Sequence, residues 1–300
     1  MNKSSWIKDL SHSFPTITLN NLLLPGTHNS CCHKLNLNLL CNLPIVSHII
    51  HNWTINQDIS VYKQLKSGVR MLDIDVSYIN NKFYTSHTFI IDELEQLIEQ
   101  LQKFNNEYND IYIIKFICRD NIDNDNVNAL ANIINNIFKD KIIYPKDYSN
   151  VLNTPIDIFI QNKKNMLIYM EYTNHMFFNS NADLYSSWTN DNSVEDSVIN
   201  NKNMLMLMNN FKTKNSNVLN DLNWTLTPTS TEIIYGIFCC YYYHNIKSWI
   251  EPFNKIFATF YNNNIELFSN INCVSFDFIN NNIIELIFDI NSNKINNLIK

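Results

Sequence analysis

The stretch Gly68-Val69-Arg70-Met71-Leu72-Asp73-Ile74-Asp75-Val76 decides the fold class. Upstream of it, Asp58 reads as the N-cap of a helix that carries Ile59, Tyr62 and Leu65 on one face, and Gly68 as its C-terminal cap. An apolar, partly β-branched run follows at once, so helix, glycine stop and buried strand make an αβ unit. Two carboxylates interrupt that strand two residues apart and therefore share one of its faces.

The same alternation extends in both directions. Residues 82–85 read as a short strand whose end presents Ser86-His87-Thr88. Asp92 and Glu95 have capping-box spacing ahead of the stripe Leu94, Leu97, Ile98, Leu101 and Phe104. Residues 111–118 are continuously apolar and β-branched, as in a parallel strand covered on both faces. A second stripe (Val127, Leu130, Ile134, Ile137) and a second buried strand at 166–172 follow. Residues 177–203 are polar and predict loops, and 204–208 suit strand or helix. Residues 224–227 predict a short strand ended by Pro228, and 246–261 one helix with Ile250, Phe253, Phe257 and Phe260 inward and Pro252 early. A strand at 273–278 and a closing helix from 283 complete the chain. Towards the N-terminus, residues 6–15 predict an irregular lead-in, 17–24 a strand, and 31–56 a long loop with helical pieces.

Strand and helix alternating over 300 residues predict an α/β fold. We expect a single domain over residues 1–300 forming a (β/α)8 TIM-type barrel, regular or distorted. An open doubly wound sheet would need a glycine-rich phosphate fingerprint, which three glycines cannot supply.

Glycine scarcity also singles out Leu24-Pro25-Gly26-Thr27-His28-Asn29-Ser30, where an apolar run hands over to His, Asn and Ser. In a barrel the strand ends meet on one face, so His28 and Asn29, Asp73 and Asp75, His87, and Asp277 would converge there. Two histidines among carboxylates suit general base, general acid, orienting groups and a hard cation. Taken singly, a histidine is more often a structural hydrogen bonder, and Asp73 and Asp75 are free to pair with Arg70.

A net charge of −6 without a Lys/Arg cluster argues against nucleic acid. Seven cysteines include the adjacent pairs Cys31-Cys32 and Cys239-Cys240 and no CxxC spacing, so zinc and a disulfide framework are not indicated. Reduced thiols, the polar start and the lack of a run of about 18 apolar residues lead us to expect a cytoplasmic monomer that is peripheral at membranes.

The ordered motifs resemble the catalytic X domain of phosphatidylinositol-specific phospholipases C. They are Trp6, the LeuProGlyThrHisAsnSer run ending at Ser30, Gln57 to Gln64 leading into the Gly68–Val76 stretch, the PheTyrThrSerHisThr run ending at Thr88, and SerPheAspPheIleAsn ending at Asn280. The resemblance is dense over the first ninety or so residues and thin in the middle. It implies a barrel enzyme in which the inositol 2-hydroxyl attacks its own phosphodiester, with His28 as base, His87 as acid and Asp277 orienting the base. Asp73 would serve both the catalytic set and, with Asn29 and Asp75, a Ca²⁺ site, because metal-dependent members carry an acidic residue where Asp75 stands and others an arginine. Two departures stand out: Ile117 falls where a further acidic ligand is usual, with Asp120 or Glu171 as substitutes, and Ser86 replaces a glycine. Lys115 is placed to contact a phosphate. The implied partner is a phosphoinositide lipid, met through transient membrane contact by a rim of Phe238, Tyr241 to Tyr243 and Trp249, or of Ile49, Ile50 and Trp53. A glycerophosphodiester phosphodiesterase and a catalytically weak lipid-binding relative are the rival readings.

Overall fold

Seven parallel strands curve around a polar interior in the computed structural model, which describes residues 2–35, 44–119, 122–171, 176–214, 217–238 and 243–299. In chain order the strands are β1 (Leu24–Thr27), β2 (Met71–Ile79), β3 (Lys82–His87), β4 (Phe89–Glu93), β5 (Tyr112–Cys118), β6 (Met166–Tyr169), β7 (Leu184–Ser187), β8 (Leu219–Trp224) and β9 (Cys273–Phe276). The parallel order is β6-β5-β2-β1-β9-β8-β7. At the end of β6, Tyr169 forms an isolated parallel bridge with Phe178.

Helices cover the outside: α1 (Trp6–Ser13), α2 (Pro44–Thr54), α3 (Val61–Ser67), α4 (Leu94–Glu107), α5 (Asn124–Phe138), α6 (Ile156–Gln161), α7 (Val194–Lys214), α8 (Ser230–Phe238), α9 (Ile246–Lys255), α10 (Phe257–Asn263) and α11 (Asn281–Ile299). Among the described residues, no helix is long and apolar enough to cross a membrane.

The α/β architecture is the expected one, but the barrel is irregular. The strand bearing His87 is not a parallel barrel strand. Asn80 and Asn81, with φ of 50° and 61°, form a two-residue hairpin turn that sends β3 back antiparallel along β2. Pairing of Val76 with Thr85 then returns His87 to the level of Asp75.

Other local expectations change for physical reasons. Residues 6–13 are helical, because the Asp110 carboxylate accepts the backbone N–H groups of Ile7 and Lys8 from 103 and 102 residues away. Residues 19–21 form a 3-10 turn held by Asn21 Oδ1 accepting from Thr18 N (2.9 Å), so β1 starts only at Leu24. Helix α3 begins at Val61 behind Ser60, while Asp58 pairs with Lys247 at 2.7 Å. Asp92 lies in β4 and binds Lys34 rather than capping α4. Ile137 is exposed, and Ala131 and Phe138 bury their side chains instead. Residues 177–203 hold β7 and the start of α7, whose buried Leu205 and Met208 are diluted by asparagines. Residues 219–224 are strand, disguised by Asp221 and Asn223, which face a polar interior, and by Asn220, which donates outward to the carbonyls of Met208 and Asn270. The predicted long helix divides at Ile256.

Every second residue of each parallel strand points into the barrel, which stacks the interior in layers. The lowest is apolar, with Leu24, Met71, Ile113, Leu167, Leu184, Leu219 and Cys273 in one cluster with Trp6, Ile7 and Leu10 of α1. The next holds Gly26, Asp73, Lys115, Ser186, Asp221 and Ser275. At Gly26 a Cβ would lie 2.6 Å from Ser275 Oγ and 3.1 Å from Met71 Cβ, so only glycine lets β1 sit this deep.

The bottom is closed by a buried ion pair. Arg70 Nε and Nη2 donate to Asp110 Oδ2 at 2.9 and 2.5 Å, and its other donors reach the carbonyls of Leu65, Val69 and Lys3. Trp6 Nε1 donates to Gly68 O at 2.9 Å over the same end. Gly68, at φ 117°, turns the chain out of α3 into β2. Removing one partner leaves the other charge buried alone, so Arg70→Met is expected to cost about 3–5 kcal/mol, read as a lowered urea midpoint. An unchanged midpoint would contradict this assignment.

Candidate active site

The third interior layer forms the floor of a cavity of about 490 Å³ at the C-terminal mouth of the barrel. Lining it are His28, Asn29, Asp73, Asp75, His87 and Lys115, with Arg119 and Asn223 nearby and an apolar wall that includes Trp188, Leu226, Ile233 and Ile246.

His28 Nδ1 lies 2.9 Å from Asp277 Oδ1, which also accepts from Asn56 Nδ2 at 2.9 Å. Gln57 Nε2 donates to the carbonyls of His28 (2.8 Å) and Phe276 (2.9 Å), tying the ends of β1 and β9 together. Asn254 Nδ2 holds the carbonyl of Asp277 at 2.8 Å. The His28 and His87 rings stand 6.3 Å apart between centroids, with an angle of 74° between their planes. Asn29 Nδ2 approaches Nε2 of both, at 3.1 and 3.5 Å. Five of the six predicted residues line the cavity, and Asp277 supports it from behind.

The backbone stops abruptly at each of these groups. Asn29, Thr88 and Phe278 have φ of 46°, 58° and 49°, and each directly follows a site residue: His28, His87 and Asp277. Asparagine tolerates this region, whereas a β-branched threonine and a phenylalanine store about 1–3 kcal/mol each. Each strand thus ends with its side chain aimed inward while the chain turns away.

Burial alone would lower the His28 pKa. The Asp277 carboxylate outweighs it, with smaller contributions from Asp73 and Asp75, and raises the value from 6.5 to about 9. Lys115 Nζ lies 3.5 Å from Asp73 Oδ1 and 3.3 Å from Ser186 Oγ, and Ser186 Oγ donates to Asp221 at 3.0 Å. Burial works against the Lys115 charge, but Asp73 and Asp221 hold its pKa above the usual lysine value. Asp75 Oδ2 pairs with Arg119 Nη2 and stands 3.8 Å from His87 Nδ1. The alternative in which Asp73 or Asp75 merely pairs with Arg70 does not occur, since Arg70 is at the opposite end with Asp110.

These contacts bear on the expected Ca²⁺. A hard dication wants six to eight oxygens. Here Asp73 already faces Lys115, Asp75 is engaged by Arg119, and the β5 residue in register with Asp75 is Ile117. Among the described residues, no three His, Cys, Asp or Glu side chains converge as metal ligands. Asp120 lies outside the described residues, and Glu171 does not line the cavity. Among the described residues, the free oxygen donors fall short of the six to eight that a hard dication takes.

Sequence reading missed Arg119, Asn56, Gln57, Ser186, Asp221, Asn223 and Asn254. The available signal was polar residues at every second position of otherwise apolar strands, such as Ser275 with Asp277 and Asp221 with Asn223. Of the predicted aromatic rims, Trp53 and Trp249 are buried, Phe238 is 78% exposed, and Tyr241 and Tyr242 lie outside the described residues. Trp188, not anticipated, is 57% exposed at the cavity edge.

The family model for the phosphatidylinositol-specific phospholipase C X domain matches residues 42–168. A PI-PLC X-box domain-containing protein of Dictyostelium discoideum is 30% identical over 136 residues, 43% of this chain and 18% of that protein. The chain therefore spans less than a fifth of that relative's length. The phosphatidylinositol-specific phospholipase C of Listeria monocytogenes has the same fold, with a TM-score of 0.70 at 17% identity over 96% of this chain and 98% of that one. A Staphylococcus aureus structure of the same enzyme type gives 0.68 at 14%, over 96% and 97% of the two chains.

A magnetic-resonance titration is expected to find His28 protonated at pH 7, with its midpoint near 9. Asp277→Asn should bring the midpoint down towards the ordinary histidine range. Because the folded value lies above the unfolded 6.5, the pair stabilises the fold fully below pH 6.5 and ceases to do so as pH rises through about 9. A midpoint below 7 in the unaltered protein would rule out this account.

Proposed function

We propose that the chain, whose residues 42–168 match the X-domain family model and whose fold is that of the bacterial enzymes, acts as a phosphatidylinositol-specific phospholipase C and cleaves phosphatidylinositol to diacylglycerol and a cyclic inositol phosphate. The observation that carries the reading is the pair of imidazoles facing one cavity, one backed by a buried carboxylate and both touched by Asn29.

In this reading His28 Nε2 takes the proton of the inositol 2-hydroxyl while Nδ1 stays on Asp277, which stabilises the imidazolium that forms. His87 gives a proton to the departing glycerol oxygen. Asp75 Oδ2 stands 3.8 Å from His87 Nδ1, close by but beyond hydrogen-bond distance. Polar groups of Asp73, Lys115, Ser186 and Asn223 face the cavity where a polyol would sit, and the open indole of Trp188 can cover a ring face. The apolar wall and the exposed Ile234, Tyr235 and Phe238 of α8 suit contact with a bilayer, where aromatic side chains are favoured.

The cavity's lysine and arginine, Lys115 and Arg119, are each already paired with a carboxylate. Extra monoester phosphates on the ring would find no cation cluster to receive them. Residues 120–121, 172–175 and 239–242 add no Lys or Arg. Over a headgroup panel, unphosphorylated phosphatidylinositol is expected to turn over about tenfold or more faster than its bisphosphate. Equal rates would refute that preference.

The function itself is tested with phosphatidylinositol vesicles. His28→Ala and His87→Ala should each lower kcat by about 10²–10⁴. Because the base must be neutral and its pKa is about 9, kcat/KM should climb with pH up to that value, and Asp277→Asn should move this limb to lower pH. Turnover that survives both histidine substitutions would sink the mechanism.

A further inference from the structure

We propose that Arg119, delivered by β5 and held by Asp75, supplies the positive charge that offsets the phosphate during cleavage, in place of a divalent cation at Asn29, Asp73 and Asp75. The proposal rests on the phosphodiester reading above.

Its basis is the register of two neighbouring strands. Asp73 pairs with Lys115 and Asp75 with Ile117 along β2 and β5, and the ladder continues when Arg119 N donates to Val76 O at 3.0 Å. Positions 115, 117 and 119 share a face, so Arg119 is the next inward residue after Ile117. Its guanidinium meets Asp75 Oδ2, lines the cavity, and remains 45% exposed. Lys115, in contrast, is 15% exposed and committed to Asp73 and Ser186 on the floor.

Asp75 therefore lies between two groups that would serve the same phosphate. One oxygen, Oδ2, stands 3.8 Å from His87 Nδ1 and contacts Arg119. A guanidinium has five N–H donors in a planar fork, so an edge held by Asp75 leaves another to turn towards a non-bridging phosphate oxygen. A dication bound at Asp75 would have to displace Arg119 and stand close to Lys115.

The step balances without a metal. The 2-hydroxyl proton moves to His28 and its oxygen bonds to phosphorus. The phosphorus–glycerol oxygen bond breaks, and that oxygen takes a proton from His87. Arg119 makes and breaks no covalent bond; it meets the charge that builds on the phosphoryl oxygens.

The test compares the full chain with Arg119→Gln and Arg119→Lys, each checked for folding by thermal melting. Phosphatidylinositol turnover is measured with and without chelator, melting with and without Ca²⁺, and binding of myo-inositol 1-phosphate by calorimetry. Expected are unaltered turnover under chelation and no Ca²⁺-induced shift in Tm. Arg119→Gln should lower kcat by about 10²–10³ and weaken myo-inositol 1-phosphate binding, with partial recovery in Arg119→Lys. Turnover lost to chelator and restored by Ca²⁺ would overturn the proposal, as would an Arg119→Gln variant that turns over and binds like the unaltered protein. If the unaltered protein cleaves no phosphatidylinositol, the functional reading falls, and calorimetry alone decides Arg119: weakened binding in Arg119→Gln sustains its phosphate contact, and equal binding removes it.

Discussion

A carboxylate cannot be taken out of water without a partner, and the mouth of this barrel buries four: Asp73, Asp75, Asp221 and Asp277. That constraint organises the site. Asp277 takes His28, Asp75 takes Arg119, and Asp73 and Asp221 share the influence of Lys115, directly or through Ser186. It accounts for the raised pKa of His28 and for the poor fit of a dication, because the negative charge that would attract one is already matched by side chains. Partners drawn from different strands also require the barrel register to be correct before the site balances.

The two ends of the barrel have separate tasks. At the bottom, Arg70, Asp110, Trp6 and Gly68 join α1, α3, β2 and the start of β5 in one fully buried network that holds no cavity-facing group. At the top, buried polar atoms lack hydrogen-bond partners: His87 Nδ1, Asn223 Oδ1 and Asp277 Oδ2 among them. Left-handed residues after His28, His87 and Asp277 add strain to the same end. Unsatisfied groups and strained backbone cost stability, and those at the mouth lie where a ligand can satisfy the one and exploit the geometry of the other. The apolar lower layers supply the rigidity that holds such an arrangement together.

Much of the architecture was legible in the chain because it rests on local periodicity. The apolar stripes of α4 and α5, the continuous strand β5 and the glycine stop before β2 each announce themselves within a window of a dozen residues. Elements that depend on distant partners did not. Helix α1 is capped by a carboxylate from the start of β5, and β8 hides behind Asp221 and Asn223, which look like loop residues until the barrel interior is seen to be polar. His87 was placed at the site as the end of a barrel strand; the two asparagines that reverse the chain lie six and seven residues before it.

From the sequence alone one could determine that an α/β barrel is built here and that His28, His87, Asp73, Asp75 and Asp277 gather at its mouth, because strand alternation and residue chemistry are local properties. Only the tertiary structure decided what each carboxylate faces. Arg70 lies nearest Asp73 and Asp75 in the chain yet serves the opposite end, whereas Arg119 comes to Asp75 across 44 residues of sequence because β5 pairs with β2 in parallel register. Charge pairing inside a barrel is set by which strands are neighbours, and that is a property of the whole sheet, not of any segment within it.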